Sequence, residues 1–192
     1  KKREYVGLIH ESSQSANSLL DNLLNWSRTQ TDRIKFTPAR IELFSNVLEI
    51  QRMLNSSMEK KNIHFENRIA ENTFAWADPN MIQTIVRNLI SNAIKFTPAD
   101  GTIELSSESL DDRIMISVRD TGIGISEEKQ KKLFDFGDFN SSSGTEGEHG
   151  TGLGLLICYE FVKKHGGNLI VKSKTGLGTT FTFDVSASEP GI

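Results

Sequence analysis

The 192-residue sequence predicts an α+β fold, a two-layer sandwich with strands on one side and helices on the other. Three observations support this prediction. Several long segments place apolar residues three or four positions apart, which is typical of amphipathic helices. Several short segments alternate apolar and polar residues, which is typical of half-buried strands. The length allows one ordinary domain with a sizeable core and a smaller appendage.

Composition narrows the classes of partner. The chain has 22 Lys and Arg against 25 Asp and Glu, so no basic excess favours nucleic acid or an anionic membrane. Its single cysteine, Cys158, excludes an internal disulfide and is assigned to helix packing. No apolar run has the length of a membrane span. We therefore expect neither nucleic-acid binding nor membrane contact by these residues.

The first predicted element is a long helix over residues 4–30. Small and apolar residues recur in it at a mean spacing of about 3.5, as in a coiled-coil seam. They are Val6, Ile9, Ser13, Ala16, Leu20, Leu23 and Ser27. The seam has no evident partner in the sequence, so we expect the partner helix in another segment or subunit. The missing helix cap at the start indicates a cut within a helix of a longer protein.

The main domain begins with a predicted helix over residues 41–58, followed by a half-buried strand at 63–65. A helix of about five turns comes next. Asp78 is placed to cap it, Pro79 takes the first helical position, and Pro98 lies beyond its end. The expected division of the chain is a helix with its linker at 1–40, the main domain at 41–186 and a tail at 187–192.

The second half of the main domain is predicted to hold two hairpins, a loop and a helix. Alternation at 103–105 and 114–118 predicts the first hairpin, with the turn "LDD" between its strands. Residues 122–148 are rich in glycine and serine without a strong period, and we predict a mobile lid there. A helix over 151–165 ends at two glycines and precedes a second hairpin of "NLIVKS" and "TTFTFDVS".

Two amides interrupt the apolar stripe of the five-turn helix. Asn88 and Asn92 lie one turn apart and continue the row of apolar residues that precedes them. Lys95 follows three residues later. Amides on a buried stripe cost about 1 to 3 kcal/mol each unless they find partners. They indicate either a ligand or metal nearby, or contacts with helix caps and fixed backbone groups.

Asp120 raises the same question in a strand. The alternation of Ile114, Ile116 and Val118 places its carboxylate next on the apolar face, directly before "TGIGI". One interpretation is an acceptor for an exocyclic amine such as that of adenine. The alternative is an Asx-turn in which the carboxylate accepts from the backbone of Gly122.

The stretch "GTGLGL" at 150–155 opens the last predicted helix. Unpaired N–H groups at a helix start, with glycines that permit close approach, favour phosphate binding. An ordinary junction between a loop and a helix is the alternative.

The paired-amide helix with its lysine, "DTGIGI", "LFDF" and "GTGLGL" follow one another along the chain. Together, in this order, they resemble the ATP-binding catalytic domain of sensor histidine kinases. That domain belongs to a wider ATPase group with type II topoisomerases, mismatch-repair ATPases and a heat-shock chaperone. The matching boxes are the N box at 88–95, the first glycine box at 120–125, the F box at 134–136 and the second glycine box at 150–155. The resemblance covers essentially residues 41–185 and implies a mixed sheet packed on helices. The stretch "LLDNLLNWSRTQTDRIKF" resembles the end of the second helix of a dimerisation and histidine-phosphotransfer hairpin.

The resemblance implies a site for ATP and Mg²⁺. Asn92 would be the principal metal ligand with Asn88 assisting, and Asp120 would accept from the adenine amine. Lys95 would meet phosphate oxygens and act with Asn88 in catalysis. The other implied nucleotide-contacting positions are Phe96 and Ile125, which would flank the base, and Gly122, Gly124, Gly150, Thr151, Gly152, Leu153 and Gly154.

The side chain at position 88 also separates transfer from hydrolysis. In hydrolytic relatives a glutamate at this position activates water, so the amide of Asn88 favours transfer to a protein side chain. The resemblance thus implies transfer of the ATP γ-phosphoryl to a histidine, for relay to an aspartate of a response-regulator receiver domain. It also implies a homodimer formed through the hairpin, and the cytoplasmic portion of a membrane-anchored protein.

One departure from the family pattern concerns the lid. Many members carry an arginine or lysine there near the γ-phosphate, whereas this sequence has none between Lys132 and Gly150, and only His149 could become cationic. Charge stabilisation would then fall to Lys95, Mg²⁺, Arg87 or a residue outside this chain. The missing cation supports an alternative of another class, a nucleotide-binding regulatory module that is degenerate in catalysis.

The second departure concerns the phosphoacceptor, because none of the four histidines is predicted to serve as one. His10 precedes an acid but belongs to the second hairpin helix, and His149 borders the lid. His64 lies on the polar face of a strand. His165 lies near a helix C-terminus, where positive charge is favoured. We expect the acceptor on a first hairpin helix that these residues do not include.

Overall fold

The computed structural model describes residues 35–134, 144–148 and 152–189. The long helix predicted over residues 4–30 lies outside these ranges. In chain order the elements are β1 (Ala39–Glu42), α1 (Leu43–Lys60), β2 (His64–Asn67), β3 (Phe74–Ala77), α2 (Pro79–Phe96), β4 (Thr102–Leu110), β5 (Arg113–Asp120), α3 (Glu127–Lys132), α4 (Gly154–Lys164), β6 (Leu169–Lys174) and β7 (Gly178–Ser186).

The strands of this part of the chain form one mixed sheet. Its path is β1-β3-β7-β5-β4-β2, and β6 also pairs with β7. All pairs are antiparallel except β2 with β4, which is parallel. The two predicted hairpins are confirmed: Leu110 lies opposite Arg113 in the first, and Lys174 lies opposite Gly178 in the second. The predicted α+β sandwich is also confirmed, since helices cover one face of this sheet.

The covered face of the sheet carries the core. Ile114, Ile116 and Val118 of β5 are buried, and Ile116 lies opposite the buried Phe183 of β7. From α2, the buried residues are Met81, Ile82, Ile85, Val86, Leu89, Ile90, Ala93 and Ile94. Cys158 of α4 is fully buried, and this burial raises the pKa of its thiol to about 12. The thiol is therefore a packing group, as the sequence predicts.

Helix α2 begins where its predicted capping residue, Asp78, places it. The Asp78 carboxylate accepts hydrogen bonds from the backbone N–H groups of Asn80 (3.0 Å) and Met81 (3.1 Å). Pro79 takes the first helical position, where its missing N–H group is not needed. The helix ends two residues before Pro98. Asp78 thus satisfies the otherwise unpaired donors of the first turn.

A cluster that we call the linker clamp fastens the residues before β1 to the ends of two helices. It consists of Phe36, Thr37, Asp78 and His165. The Asp78 carboxylate accepts from the backbone N–H (2.9 Å) and the hydroxyl (3.0 Å) of Thr37. The Phe36 ring meets the His165 ring edge-on, with centroids 5.0 Å apart. The chain before β1 is therefore anchored to the start of α2 and the end of α4.

The charge expected on His165 is a wrong prediction. The ring is buried, and its Nε2 accepts a hydrogen bond from the Asp78 backbone N–H at 3.0 Å, so the imidazole is neutral. Its Nδ1 then donates to the Phe161 carbonyl oxygen at 2.6 Å. Burial lowers the pKa of His165 and outweighs the opposing effect of that carbonyl. Tertiary packing thus overrides the preference of a helix C-terminus for positive charge.

Two short strands and the starts of two helices depart from the predictions. The first helix begins at Leu43 rather than at residue 41, because Ile41 pairs with Ala75 between β1 and β3. Both of these strands have four residues, too few for alternation to identify them. The last helix begins at Gly154 rather than at residue 151. Gly152 has φ +73°, which a right-handed helix excludes.

The predicted lid is also partly ordered. Residues 127–132 form α3, and the hydroxyl of Ser126 accepts from the Lys129 backbone N–H at 3.4 Å. The Gln130 side-chain amide donates to the carbonyl oxygens of Ile125 (2.7 Å) and Ser173 (3.0 Å), which fixes α3 to β6. The first part of the predicted lid therefore contains a helix that its lack of periodicity did not indicate, and its mobility without nucleotide stays a prediction. Residues 135–143 lie outside the described ranges.

We expect the stability of the chain to depend on pH through His165. Its unfolded state takes up a proton near the usual pKa of about 6.5, whereas the folded state resists protonation, so stability is lost as pH falls through that value. This group contributes a slope of at most about 1.4 kcal/mol per pH unit. His165→Gln should remove that part of the slope in urea unfolding followed by circular dichroism at pH 5, 6 and 7.

His64→Gln is the matched control, because the His64 side chain is 69% exposed. It should keep the slope of the parent chain. Parallel slopes for the parent and His165→Gln would contradict the assignment of a neutral, buried imidazole.

Candidate functional site

Three parts of the fold converge around the residues that the sequence singles out. They are the half-buried edge of α2 with Asn88, Asn92 and Lys95, the loop at 120–125 and the first turn of α4. The Ile123 backbone N–H donates to the carbonyl oxygen of Phe96 at 3.1 Å, which joins the loop to the end of α2. Packing of α4 against α2 brings its first turn to the same edge.

The Asp120 carboxylate lies on the apolar face at the end of β5 and is only 6% exposed. Its Oδ1 accepts from the backbone N–H groups of Gly122 (2.8 Å) and Thr179 (3.1 Å). The Asx-turn is therefore present, but it uses one oxygen. No hydrogen bond from the described residues reaches Oδ2. Burial raises the pKa of Asp120, against the opposing effect of the two backbone donors.

The loop after Asp120 packs so closely against the end of α2 that only glycine fits at position 122. A Cβ atom on Gly122 would lie 2.5 Å from the carbonyl oxygen of Phe96 and 2.7 Å from Asp120 Oδ1. The Ile125 backbone N–H donates to Ser173 Oγ at 2.8 Å, so the far end of the loop is fixed to β6. Phe96 and Ile125 are both half-buried beside it. The loop thus combines a buried acceptor, Asp120, with a tight turn that is fixed at both ends.

The two amides of α2 are half-buried next to the core. The Asn88 side chain donates to the Gly154 carbonyl oxygen over a long 3.4 Å, so the predicted alternative of a backbone contact is present for its NH₂ group. The amide oxygens of Asn88 and Asn92 are the chemical groups that a hard cation accepts. The described residues contain no group of three or more His, Cys, Asp or Glu side chains that could hold a metal ion. A divalent cation would therefore depend on these amides and on oxygens of the ligand itself.

Lys95 follows the predicted metal ligands Asn88 and Asn92 on α2 and precedes Phe96, which is predicted to flank the base. Its ammonium group is 4.8 Å from the centre of the Phe96 ring. Burial lowers the pKa of Lys95, and the nearby Glu148 carboxylate acts in the opposite direction. The structure therefore places this cation beside both the aromatic wall and an acid of the predicted lid.

Lys61 is a buried cation that sequence reasoning missed. Only 3% of this residue is exposed, and its ammonium group forms an ion pair with Glu148 at 2.5 Å. Nothing in the sequence distinguishes it from the neighbouring Lys60, which is exposed. Both lysines end α1, where a basic side chain usually lies in solvent. The hydrogen bonds that hold Lys61 were therefore not predictable from periodicity.

The F box and the second glycine box are described in part. The Phe134 ring stacks on Tyr159 of α4, with centroids 5.3 Å apart and planes at 24°, which fixes the start of the predicted lid to that helix. Leu153 is buried, and Gly154 is the first residue of α4. The predicted positions Phe136, Gly150 and Thr151, like His10 and His149, lie outside the described residues. His64 is exposed and pairs with Glu66 at 3.2 Å.

Comparisons with known proteins match this chain to one family of ATPases and to histidine kinases. The sequence profile described as "Histidine kinase-, DNA gyrase B-, and HSP90-like ATPase" matches residues 77–189. The circadian input-output histidine kinase CikA of Synechococcus elongatus is 33% identical over 188 residues, covering 95% of this chain and 24% of CikA. The chain thus spans about a quarter of the length of that curated relative.

Solved structures show the same fold. The nucleotide-free catalytic domain of histidine kinase ThkA is 29% identical with a TM-score of 0.68, over 80% of this chain and 97% of that domain. Full-length ShkA in complex with AMPPNP is 25% identical with a TM-score of 0.78, over 98% of this chain and 40% of ShkA.

We expect Asp120→Asn to stabilise the chain. Because folding raises the pKa of this carboxyl, its ionised form is disfavoured in the folded state, and stability is lost as pH rises through the unfolded value towards the folded one. Asparagine keeps the Oδ1 acceptor without the charge. At pH 7 the Tm should therefore rise, by roughly 2 to 4 °C if the gain is about 1 kcal/mol.

Thermal unfolding at pH 7 and pH 3.5 checks this prediction, and the gain should shrink at the lower pH. Asp112→Asn is the control, because Asp112 is exposed in the β4–β5 turn. A Tm for Asp120→Asn below that of the parent at pH 7 would refute the assigned charge penalty.

Proposed function

Because the chain belongs to the family of histidine kinase-, DNA gyrase B- and HSP90-like ATPases, we propose that it is the catalytic part of a sensor histidine kinase. It binds Mg·ATP and transfers the γ-phosphoryl group to a histidine other than the four in this sequence. The observation that carries the proposal is the Asp120 carboxylate, buried at the edge of the sheet with one oxygen held by the backbone. The second oxygen offers the acceptor that an adenine amine requires.

The base is held by shape as well as by this acceptor. Gly122 packs directly against the Phe96 carbonyl oxygen and Asp120, where a side chain would clash, and so keeps the loop close to the acceptor. Phe96 and Ile125 supply the apolar walls, so a base with its amine towards Asp120 is buried on both faces. A purine that lacks this amine would leave the carboxylate without its partner, at a cost of about 1 to 3 kcal/mol.

The edge of α2 holds the phosphates. Asn92 would be the principal ligand of Mg²⁺ and Asn88 would assist, because neutral amide oxygens suit a hard cation. When bound, Mg²⁺ supplies neutralisation of the charge that develops on the transferred phosphoryl group. Lys95 orients phosphate oxygens and supplies the charge that the sequence of the lid lacks between Lys132 and Gly150.

The amide at position 88 favours transfer over hydrolysis. An asparagine cannot accept a proton from water, so it cannot serve as the general base that a hydrolytic site needs. The acceptor histidine would instead be presented by a helical hairpin whose second helix lies in residues 1–40, through which the protein forms a homodimer. Residues 41–186 are the catalytic domain in this proposal, and 187–192 form the tail.

The wider setting follows from the same proposal. The phosphoryl group passes from the histidine to an aspartate of a response-regulator receiver domain. The chain is the cytoplasmic portion of a membrane-anchored protein. Among the residues that the structure describes, no helix combines the length and the apolar character needed to cross a bilayer.

A second candidate function is a nucleotide-binding regulatory module without catalysis. It is favoured by the absence of lysine and arginine between Lys132 and Gly150. Both candidates bind nucleotide, so only phosphoryl transfer separates them.

We expect Asp120→Asn and Asn92→Ala to weaken nucleotide binding in different ways. Asp120→Asn should lower the affinity for ATP and ADP alike, by about 10- to 100-fold, because a donor NH₂ group can then face the adenine amine. Asn92→Ala should weaken Mg·ATP by about tenfold and leave metal-free ATP nearly unchanged. Titration calorimetry with and without Mg²⁺ measures both. Parental affinity of Asn92→Ala for Mg·ATP would show that the metal assignment is wrong.

A transfer assay tests the proposed reaction. Incubation of the chain with radiolabelled ATP should give no acid-labile, base-stable label on the chain itself, and His10→Gln should change nothing. Addition of a separate hairpin that carries the acceptor histidine should give such a label on the hairpin, because the acceptor imidazole can then lie in line with the γ-phosphate. Nucleotide binding without any label on the hairpin would favour the regulatory module. Label on His10 would refute the assignment of residues 4–30 to the second helix.

A further inference from the structure

We propose that Lys61 is a positioning residue, which holds residues 144–148 on the carboxyl end of α2 and thereby sets the place of Lys95. We call residues 144–148 the docked segment. The effect on nucleotide affinity rests on the function proposed above, whereas the docking itself does not.

Lys61 joins two parts of the molecule that are distant in sequence. Its ammonium group donates to the carbonyl oxygens that α2 leaves unpaired at its end, at 2.9 Å for Ile94, 3.2 Å for Lys95 and 3.3 Å for Thr97. It also donates to Thr145 Oγ1 at 2.7 Å and pairs with Glu148 at 2.5 Å. A cation is favoured at a helix carboxyl end, and the three N–H groups of the buried ammonium are shared among these five oxygens.

The docked segment is compact and attached to α2 at more than one point. The Gly144 backbone N–H donates to the Glu148 carbonyl oxygen at 2.9 Å, and the Glu146 N–H donates to the Glu148 carboxylate at 2.8 Å. These bonds close the segment on itself. The Thr145 backbone N–H donates to the Lys95 carbonyl oxygen at 3.0 Å. The segment therefore meets α2 through the backbone and the hydroxyl of Thr145, and it meets Lys61 through the side chains of Thr145 and Glu148.

The segment also lies directly against the side chain of Lys95. A Cβ atom on Gly144 would lie 2.6 Å from Lys95 Cγ. The position of the segment thus limits the rotamers that the Lys95 stem can adopt. If the segment moved away, the ammonium group of Lys95 would lose this restriction before any phosphate reached it.

The charges around Lys61 make the contact specific. The pKa of Glu148 is lowered overall: burial would raise it, and the hydrogen bond and charge of Lys61 outweigh that effect together with backbone donors. Lys61 therefore keeps an ionised acid beside Lys95 neutralised. Without it, the Glu148 carboxylate would compete with phosphate for Lys95.

The test compares variants that release the docked segment with variants that do not. Thr145→Val removes the hydroxyl that Lys61 contacts, and Glu148→Gln removes the negative charge that pairs with Lys61, and both leave the α2 carbonyls capped. Thr145→Ser keeps the hydroxyl and is the conservative control, and Lys60→Met controls for the loss of a neighbouring exposed lysine. Lys61→Met removes all contacts at once. Each is measured in the whole 192-residue chain.

Three readouts distinguish positioning from stability. Thr145→Val and Glu148→Gln should speed amide exchange in the docked segment about tenfold without nucleotide, and weaken Mg·ATP about 3- to 10-fold by calorimetry. Their urea midpoints should stay close to that of the parent. Lys61→Met should show the same two effects with a lower midpoint, because α2 then loses its cap. Thr145→Ser and Lys60→Met should behave as the parent does.

Exchange rates equal to those of the parent in both Thr145→Val and Glu148→Gln would overturn the inference. Faster exchange together with an unchanged affinity for Mg·ATP would overturn the proposed effect on Lys95. If the parent chain itself fails to bind Mg·ATP, the proposed function fails together with that effect. The exchange rates then still support or overturn the docking by Lys61.

Discussion

The candidate site depends on how the carboxyl end of α2 is satisfied. A helix leaves its last four carbonyl groups without partners in the helix. Here each nearby segment supplies a donor: the loop after β5 reaches Phe96 through Ile123, the end of α1 reaches three carbonyls through Lys61, and Thr145 reaches Lys95. The assembly of the site and the termination of the helix are thus the same set of hydrogen bonds.

The site is also where the fold accepts unfavourable chemistry. A buried carboxylate is held at the end of β5, and a buried lysine lies against residues 144–148, and burial of a charge costs free energy unless its neighbours compensate. Their neighbours limit this cost with backbone N–H groups around Asp120 and with carbonyls and Glu148 around Lys61.

The sequence was informative where one chemical pattern has one structural meaning. Asp78 and Pro79 fixed the start of α2, and alternation through Val118 placed Asp120 on the buried face. It was uninformative where tertiary contacts determine whether a segment forms a strand or whether a side chain is buried. Four-residue strands such as β3 are too short for a period, and adjacent lysines with equal propensities differ only in what packs around them. The roles assigned to Asn88, Asn92 and Lys95 remain proposals that come from the resemblance.

The linker clamp has a mechanical consequence. Phe36 and Thr37 are attached at the amino end of α2, and the residues proposed to bind metal and phosphate lie along its other half. An 18-residue helix is a stiff rod about 27 Å long. Force applied to the chain at Lys35 is therefore delivered to one end of a lever whose other end carries Lys95. The clamp thus couples the chain before β1 mechanically to α2, and the contacts among its four residues set the force at which this coupling breaks.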